Sequence, residues 1–451
     1  MGSEMCIRDR SLIVLLLVGG ALFVRFGLGV ALPTPGAVFD VAGGMAAKLG
    51  CSGRYITGLN EQQVKSDLAS YSGLYSLVTI TNDDTLYRVT ARLAPGKRHS
   101  ASYRPGIGCS LDIGDTSNLD ALDPGSWPVV ASDEGLGANP NSGAVDELLA
   151  TQLAADNAKG LQTRALLVMH NSQVIGEANA PGFDSTSRHL GWSMGKSLVA
   201  MLFGRLEQKT NLNVAQTKLF DEWQDERSNI SLKALLNMSS GLQFDEVYAP
   251  GSDATRMLFN EHSASAVALE KPLAHPTGSH FAYSSGTTNL LSRFLVERLG
   301  GTDAAYRFLH EELLAPLKLA HTVVEPDPSG VFVGSSYVYA SARDWGQLGM
   351  LLAADGIYNN QRLLSSDWIK RATTPNSSGN EPRYGYQLWL NRGGDELRWP
   401  DLPEDAFAMQ GNRAQIVLMI PSRGLVIVRL GWTAGGYPYN DTFAALLPEL
   451  P

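Results

Sequence analysis

The stretch Gly191-Trp192-Ser193-Met194-Gly195-Lys196-Ser197 runs directly into Leu198-Val199-Ala200-Met201-Leu202-Phe203, and it narrows the folds open to this chain more than any other segment. No proline interrupts Leu198 to Leu206, so the pattern predicts a buried helix whose first turn carries Ser193 and Lys196 on one face. A serine hydroxyl attacks a carbonyl once a base takes its proton, and a partly desolvated lysine within hydrogen-bond reach is such a base. The helix N-terminus adds free N–H groups and a positive dipole end that favour an oxyanion. Of the eleven lysines in the chain, only Lys196 has a serine three positions before it.

The same letters admit other readings. Gly191-x-Ser193-x-Gly195 spells a nucleophile elbow, which needs a buried strand entering the serine, whereas Asp184 to His189 is polar. Under that reading His275 and Asp253 would be the partners. Gly195-Lys196-Ser197 as a phosphate loop would need glycine at position 190, which is leucine. An ordinary amphipathic helix start is the third alternative.

At 451 residues with 44% hydrophobic and 18% charged side chains, the chain suits one large domain and an appendage. A net charge of −9 and the lack of a basic run argue against nucleic-acid binding. Residues 1–10, MGSEMCIRDR, read as a non-native leader and are set aside. Ser11 to Val24 is uncharged and mostly aliphatic, and the apolar character resumes after Arg25 up to Leu32. The whole of 11–32 suits an N-terminal membrane anchor or a signal segment, with the catalytic part outside the cytoplasm in the cell envelope or periplasm.

Residues 33–130 differ in composition and read as a small α/β accessory region. A helix is predicted over Asn60 to Ser70, and strands over Leu74 to Ile80, Thr85 to Leu93 and Ser100 to Tyr103, the first two joined at Asn82-Asp83-Asp84. Cys51 and Cys109 both lie here and would pair in an oxidising compartment, or else be two buried thiols. The eight histidines contain no metal-binding spacing, so no metal and no cofactor are expected. Pro124 to Ser142 is rich in Gly, Pro, Ser and Asp and marks a linker, bounded here as 131–143. The main domain, 144–451, then opens with a helix over Ala144 to Ala158 and a hairpin of Thr163 to Met169 with Val174 to Ala178.

A second constellation follows. Ser231 to Met238 reads as a helix ending at Ser239-Ser240-Gly241, and the loop from Pro276 carries Tyr283 just ahead of a helix over Thr287 to Leu299. A phenol there, acidified by a nearby lysine, could shuttle a proton between serine and leaving group; otherwise it is a helix-entry tyrosine.

Taken in order, Ser193-Met194-Gly195-Lys196, Asn237 to Gly241, Phe281-Ala282-Tyr283-Ser284-Ser285, Ala315-Pro316-Leu317 and Tyr339 to Asp344 resemble the beta-lactamase-related serine hydrolases over roughly residues 145 to 435. That family includes class C β-lactamases, D-aminopeptidases, carboxylesterases and 6-aminohexanoate-dimer hydrolases. The resemblance implies Ser193 as acylated nucleophile, Lys196 as its base and Tyr283 as the second proton shuttle. It also implies an α/β (α+β) fold: an antiparallel sheet built from both chain ends, flanked by helices, with an inserted helical lobe. Strand signals at Tyr384 to Leu390, Gln415 to Ile420 and Leu425 to Leu430 agree.

The departures bear on substrate. Ser285 stands where class C β-lactamases carry asparagine, and no Lys-Thr-Gly occurs. The corresponding strand region holds Gln410, Gly411, Asn412 and Arg413, where a backbone N–H would complete an oxyanion hole and Arg413 would meet a carboxylate. The expectation is an esterase or amidase acting on a small ester, amide or short peptide. The alternative is an envelope peptide- or penicillin-binding protein with little turnover.

Overall fold

Thr163–His170 (β5) is apolar at nearly every position because both of its faces are covered. Ala165, Leu167 and Met169 point into the helical lobe, while Leu166 and Val168 meet a helix over Gly143–Ala158 and the C-terminal helix Tyr439–Leu446. The chain is known from a computed structural model that describes residues 34–131 and 143–451. The leader 1–10, the apolar run 11–32 and most of the linker lie outside those residues. No helix among the described residues is long and apolar enough to cross a membrane.

The region before residue 131 contains a helix, Pro35–Ser52 (α1), a second, Glu61–Ala69 (α2), and four strands: Thr79–Asp83 (β1), Arg88–Arg92 (β2), His99–Arg104 (β3) and Gly108–Leu111 (β4). The strands pair in order as an antiparallel meander, with α1 across it, and the Cys51–Cys109 disulfide joins α1 to β4. The strand expected at Leu74 to Ile80 is a 3₁₀ turn over Gly73–Leu77 followed by β1. Ser72 accepts from the Leu74 N–H there, a local bond that competes with a ladder. The β1–β2 connection lies later than expected, because the Asp83 carboxylate accepts from the N–H groups of Thr85 and Leu86 and Tyr87 turns left-handed at φ 50°.

This region packs directly on the main body. Its core is continuous with Leu190, Trp192, Met257, Phe259, Tyr337 and Trp432 of the main body. Gly43 and Gly44 of α1 lie so close to His99 and to the Phe259 carbonyl that a Cβ on either would overlap its neighbour. The stretch expected to begin a linker also packs: Trp127 is buried, stacks on Tyr306 at 4.9 Å and donates to Asp303 at 2.9 Å.

The main body begins with Gly143–Ala158 (α3), β5 and Gln173–Asn179 (β6). A short strand, His189–Leu190 (β7), leads to the Ser193 turn and to Gly195–Lys209 (α4). Helices of the lobe follow, including Ser285–Leu299 (α5). Val323–Val324 (β8) and Val338–Ala340 (β9) then complete a small sheet of order β7-β9-β8. After Ala342–Ala353 (α6), the hairpin Ile357–Tyr358 (β10) and Gln361–Arg362 (β11), the chain returns as Trp389–Leu390 (β12), Phe407–Gly411 (β13), Gln415–Ile420 (β14) and Leu425–Gly431 (β15). The main sheet runs β12-β13-β14-β15-β5-β6, antiparallel throughout. Early and late strands thus share one sheet, and the helical lobe fills the interval between them.

Candidate active site

Ser193 sits in a 3₁₀ turn, Trp192–Met194, that leads straight into α4. Lys196 follows three residues later in the first turn of α4, which puts it on the same side as Ser193. Trp192 is held at φ 48°, a left-handed conformation that a bulky residue adopts only when its surroundings impose it, and it is 1% exposed among Tyr71 and Trp432. The flanking glycines have packing reasons. A Cβ on Gly191 would enter the Trp345 ring, and one on Gly195 would meet the Gly334 carbonyl.

The Lys196 ammonium position is saturated. Nζ donates to Ser193 Oγ at 2.9 Å, to Ser285 Oγ at 2.9 Å and to the Ser335 carbonyl at 3.0 Å. The side chain is 1% exposed, and burial pulls its pKa down to about 8, with the Glu246 carboxylate opposing the drop. A lysine so tuned supplies a useful fraction of free amine near neutral pH.

Tyr283 reaches the same point from the start of α5. Its ring lies 4.9 Å from Lys196 Nζ, stacks on Trp389 at 5.3 Å and meets Tyr384 edge-on. The loop before it is fixed by the Ala282 N–H on the Met238 carbonyl and by Asn380, which bonds both the N–H and the carbonyl of Phe281. Ser284 caps the helix by accepting from the Thr287 N–H. The expected acidification of the phenol does not occur. Burial, with the neighbouring Tyr384 and Glu246, pushes it well above its ordinary value, and the Ser193 hydroxyl offsets this only in part. The phenol is therefore neutral.

Of the four residues expected on the third strand, Gly411 ends β13 against the Gly191 backbone, so close that a Cβ would overlap the Gly191 carbonyl. Gln410 and Asn412 flank it, both half-buried, beside the Ser193 turn. Arg413 is turned inward instead. It is 7% exposed, in a left-handed conformation, with its guanidinium 3.5 Å from the centre of the Tyr71 ring. Its backbone is held by Arg429, which donates to the carbonyls of Arg413 and Ala414 at 3.2 and 3.0 Å.

Two neighbours of the site carried no usable sequence signal. Glu246 lies on a polar loop and accepts from Ser285 twice, from its N–H at 2.7 Å and its hydroxyl at 2.6 Å. Gln387, buried and left-handed, accepts from Ser197 through its carbonyl and from Thr288 through its side chain, tying α4 to α5. The elbow alternative fails on topology, since β7 belongs to a small antiparallel sheet. Its nominated partners are engaged elsewhere: Asp253 pairs with Lys271 at 2.6 Å, and His275 stacks on His280. Among the described residues no group of His, Cys, Asp and Glu side chains forms a metal site.

Comparison with known proteins agrees with this fold. The sequence model described as Beta-lactamase matches residues 145–444. A 6-aminohexanoate-dimer hydrolase of Paenarthrobacter ureafaciens is 24% identical over 260 residues, and the match covers 52% of this chain and 64% of the length of that relative. A solved structure of a candidate 6-aminohexanoate-dimer hydrolase from Bacillus anthracis is similar at a TM-score of 0.57 and 18% identity, over 73% of this chain and 90% of that one. A family VIII carboxylesterase is similar at a TM-score of 0.54 and 11% identity, over 69% and 98%. A penicillin binding protein from Bacillus halodurans gives 0.52 and 16%, over 66% and 100%.

Proposed function

The chain belongs to the Beta-lactamase family, and from that premise we propose that it is a serine hydrolase that cleaves a small ester, amide or short peptide through an acyl-enzyme on Ser193. One observation carries the proposal: a buried lysine, its pKa brought to about 8, lies 2.9 Å from a serine hydroxyl with a neutral phenol beside both. In the proposed sequence, neutral Lys196 takes the Ser193 proton as Oγ bonds to the substrate carbonyl carbon. The resulting oxyanion is held by the Ser193 N–H and an N–H of the Gln410 to Asn412 segment. Tyr283 gives its proton to the departing alkoxide or amine and regains one from the Lys196 ammonium. Water, deprotonated by the same groups, then releases the acid and restores Ser193.

An amide between short amino-alkanoate units is the substrate class we favour, supported by two relatives bearing that activity in their names. Absence of Lys-Thr-Gly, with Arg413 stacked on Tyr71, weighs against a β-lactam carboxylate as the main recognition element. We also propose that the protein works outside the cytoplasm, because the Cys51–Cys109 disulfide suits an oxidising compartment, with 11–32 as its tether or export signal.

Replacing Ser193 with alanine should abolish labelling by a fluorophosphonate probe and turnover of p-nitrophenyl esters; unchanged labelling would sink the proposal. The substitution of Ser285 for the asparagine of class C enzymes favours a second reading, peptide binding without turnover. Absence of any acyl-enzyme mass shift across ester, amide and β-lactam panels would select it.

A further inference from the structure

Ser335, whose carbonyl is the third acceptor of Lys196, lies in a turn from Val333 to Tyr337. Both ends of that turn are bonded to one residue. The Glu325 N–H donates to the Tyr337 carbonyl at 2.9 Å, and the Val333 N–H donates to the Glu325 carbonyl at 2.9 Å. The Ser335 N–H is steadied by Asn289 of α5 at 3.3 Å.

The Glu325 side chain points the other way, into the N-terminal region, and is 0% exposed. Its carboxylate forms an ion pair with Lys48 of α1. It also accepts from the Ser52 hydroxyl at 2.9 and 3.1 Å and from the Cys109 N–H at 2.7 Å. Lys48 Nζ sits 4.0 Å from the centre of the Tyr337 ring, so the same amine touches the far end of the turn. Ser52 and Cys109 each adjoin or form part of the Cys51–Cys109 disulfide. A carboxylate taken fully out of water and met by a cation, a hydroxyl and an amide N–H is fixed in direction as well as position.

We propose that the region before residue 131 is a positioning element of the active site, acting through Lys48 and Ser52 on Glu325 to hold the Ser335 carbonyl against Lys196. This rests on the assignment of Lys196 as base. It gives the N-terminal region a task in the reaction without contact to substrate. If the Ser335 carbonyl drifts away, the Lys196 ammonium loses an acceptor that favours its charged form, so the amine titrates at lower pH while its aim at Ser193 worsens.

The test uses the full chain in three forms: wild type, the double variant Lys48→Met/Glu325→Leu, which removes both charges together, and Ser52→Ala, a small change that keeps the ion pair. Fluorophosphonate labelling rates and ester kcat/KM are measured from pH 5 to pH 10, alongside thermal melting. The expected result is a loss of about tenfold in kcat for the double variant and a smaller loss for Ser52→Ala, KM little changed, with the acidic limb moved to lower pH in both. A double variant that fails to fold leaves Ser52→Ala to decide. A folded Ser52→Ala or double variant with wild-type kcat and an unmoved limb overturns the positioning role. Wild type that never labels overturns the base assignment and this inference with it, whereas wild type that labels normally beside unaffected variants overturns this inference alone.

Discussion

Glu246 holds Ser285 at two points, one carboxylate oxygen on its N–H and the other on its hydroxyl, so the hydroxyl oxygen is left to face Lys196 Nζ at 2.9 Å. A loop carboxylate thereby orients a motif serine and favours the charged form of the Lys196 amine. Glu246→Gln keeps an acceptor for Ser285 and removes the negative charge that raises the Lys196 pKa. The acidic limb of kcat/KM should move to lower pH in this variant, and a profile superimposable on wild type would remove Glu246 from the site's electrostatics.

Lys196 acts as base only when neutral, and its folded-state pKa lies near 8. Acylation should therefore rise with pH through that value and fall about tenfold per unit below it, leaving about a tenth of the amine competent at pH 7. Stopped-flow acylation with an activated ester reads this limb directly. Lys196→Arg, which cannot deprotonate in this range, should erase both the limb and nearly all of the rate.

Tyr283→Phe keeps the stacking on Trp389 and deletes the proton donor. General acid assistance is worth about 10²- to 10⁴-fold, with the larger effect expected on amides, whose leaving group must be protonated. Comparing kcat for matched p-nitrophenyl ester and alkyl amide substrates tests this. An equal loss on both would assign the ring a packing role.

Gly411→Ala should displace the Ser193 turn, because the added methyl overlaps the Gly191 carbonyl. A loss of about 10²-fold in kcat is expected from a shift of about 1 Å, with the fold otherwise kept. Circular dichroism together with steady-state kinetics separates the two outcomes.

Cys51 and Cys109 close a loop 58 residues apart in sequence and lie fully buried beside Glu325. Cys51→Ala/Cys109→Ala should cost about 2–4 kcal/mol of stability, seen as a lower melting temperature. Reductant added to the folded wild type should have little effect until the protein opens.

Legibility in the sequence followed locality. Ser193 and Lys196 are three residues apart on one turn, and Tyr283 precedes a helix with its own cap, so short-range pattern was enough to nominate them. The hairpin of β5 and β6 and the strands β14 and β15 were visible as apolar runs, whereas the strand expected over Tyr384 to Leu390 is a tight turn, with the Gly385 N–H on the Leu388 carbonyl and Gln387 left-handed at φ 58°, and only Trp389–Leu390 joins the sheet. Helix α1 was not, because Gly43 and Gly44 in its middle weaken a helical pattern; those glycines serve contacts with His99 and Phe259 that no local pattern encodes. Glu246 sits in Gln243-Phe244-Asp245-Glu246-Val247-Tyr248, which has the composition of a solvated loop, and the Ser335 contribution is a main-chain carbonyl with no residue type to betray it. The reversed acidity of Tyr283 follows from burial, which the sequence could not weigh against the nearby lysine.

Strand β5 finds its sheet partner in β15, with Ala165 opposite Leu430 and Met169 opposite Val426. An emerging polypeptide therefore holds its serine turn long before the ladder that supports it has been synthesised, and Trp192 must wait for Trp432 as well. High contact order of this kind slows folding and keeps apolar edges uncovered until the last segments arrive. Loss of even the final few strands should consequently leave β5 without its ladder and Trp192 without Trp432, so that the serine turn loses its support.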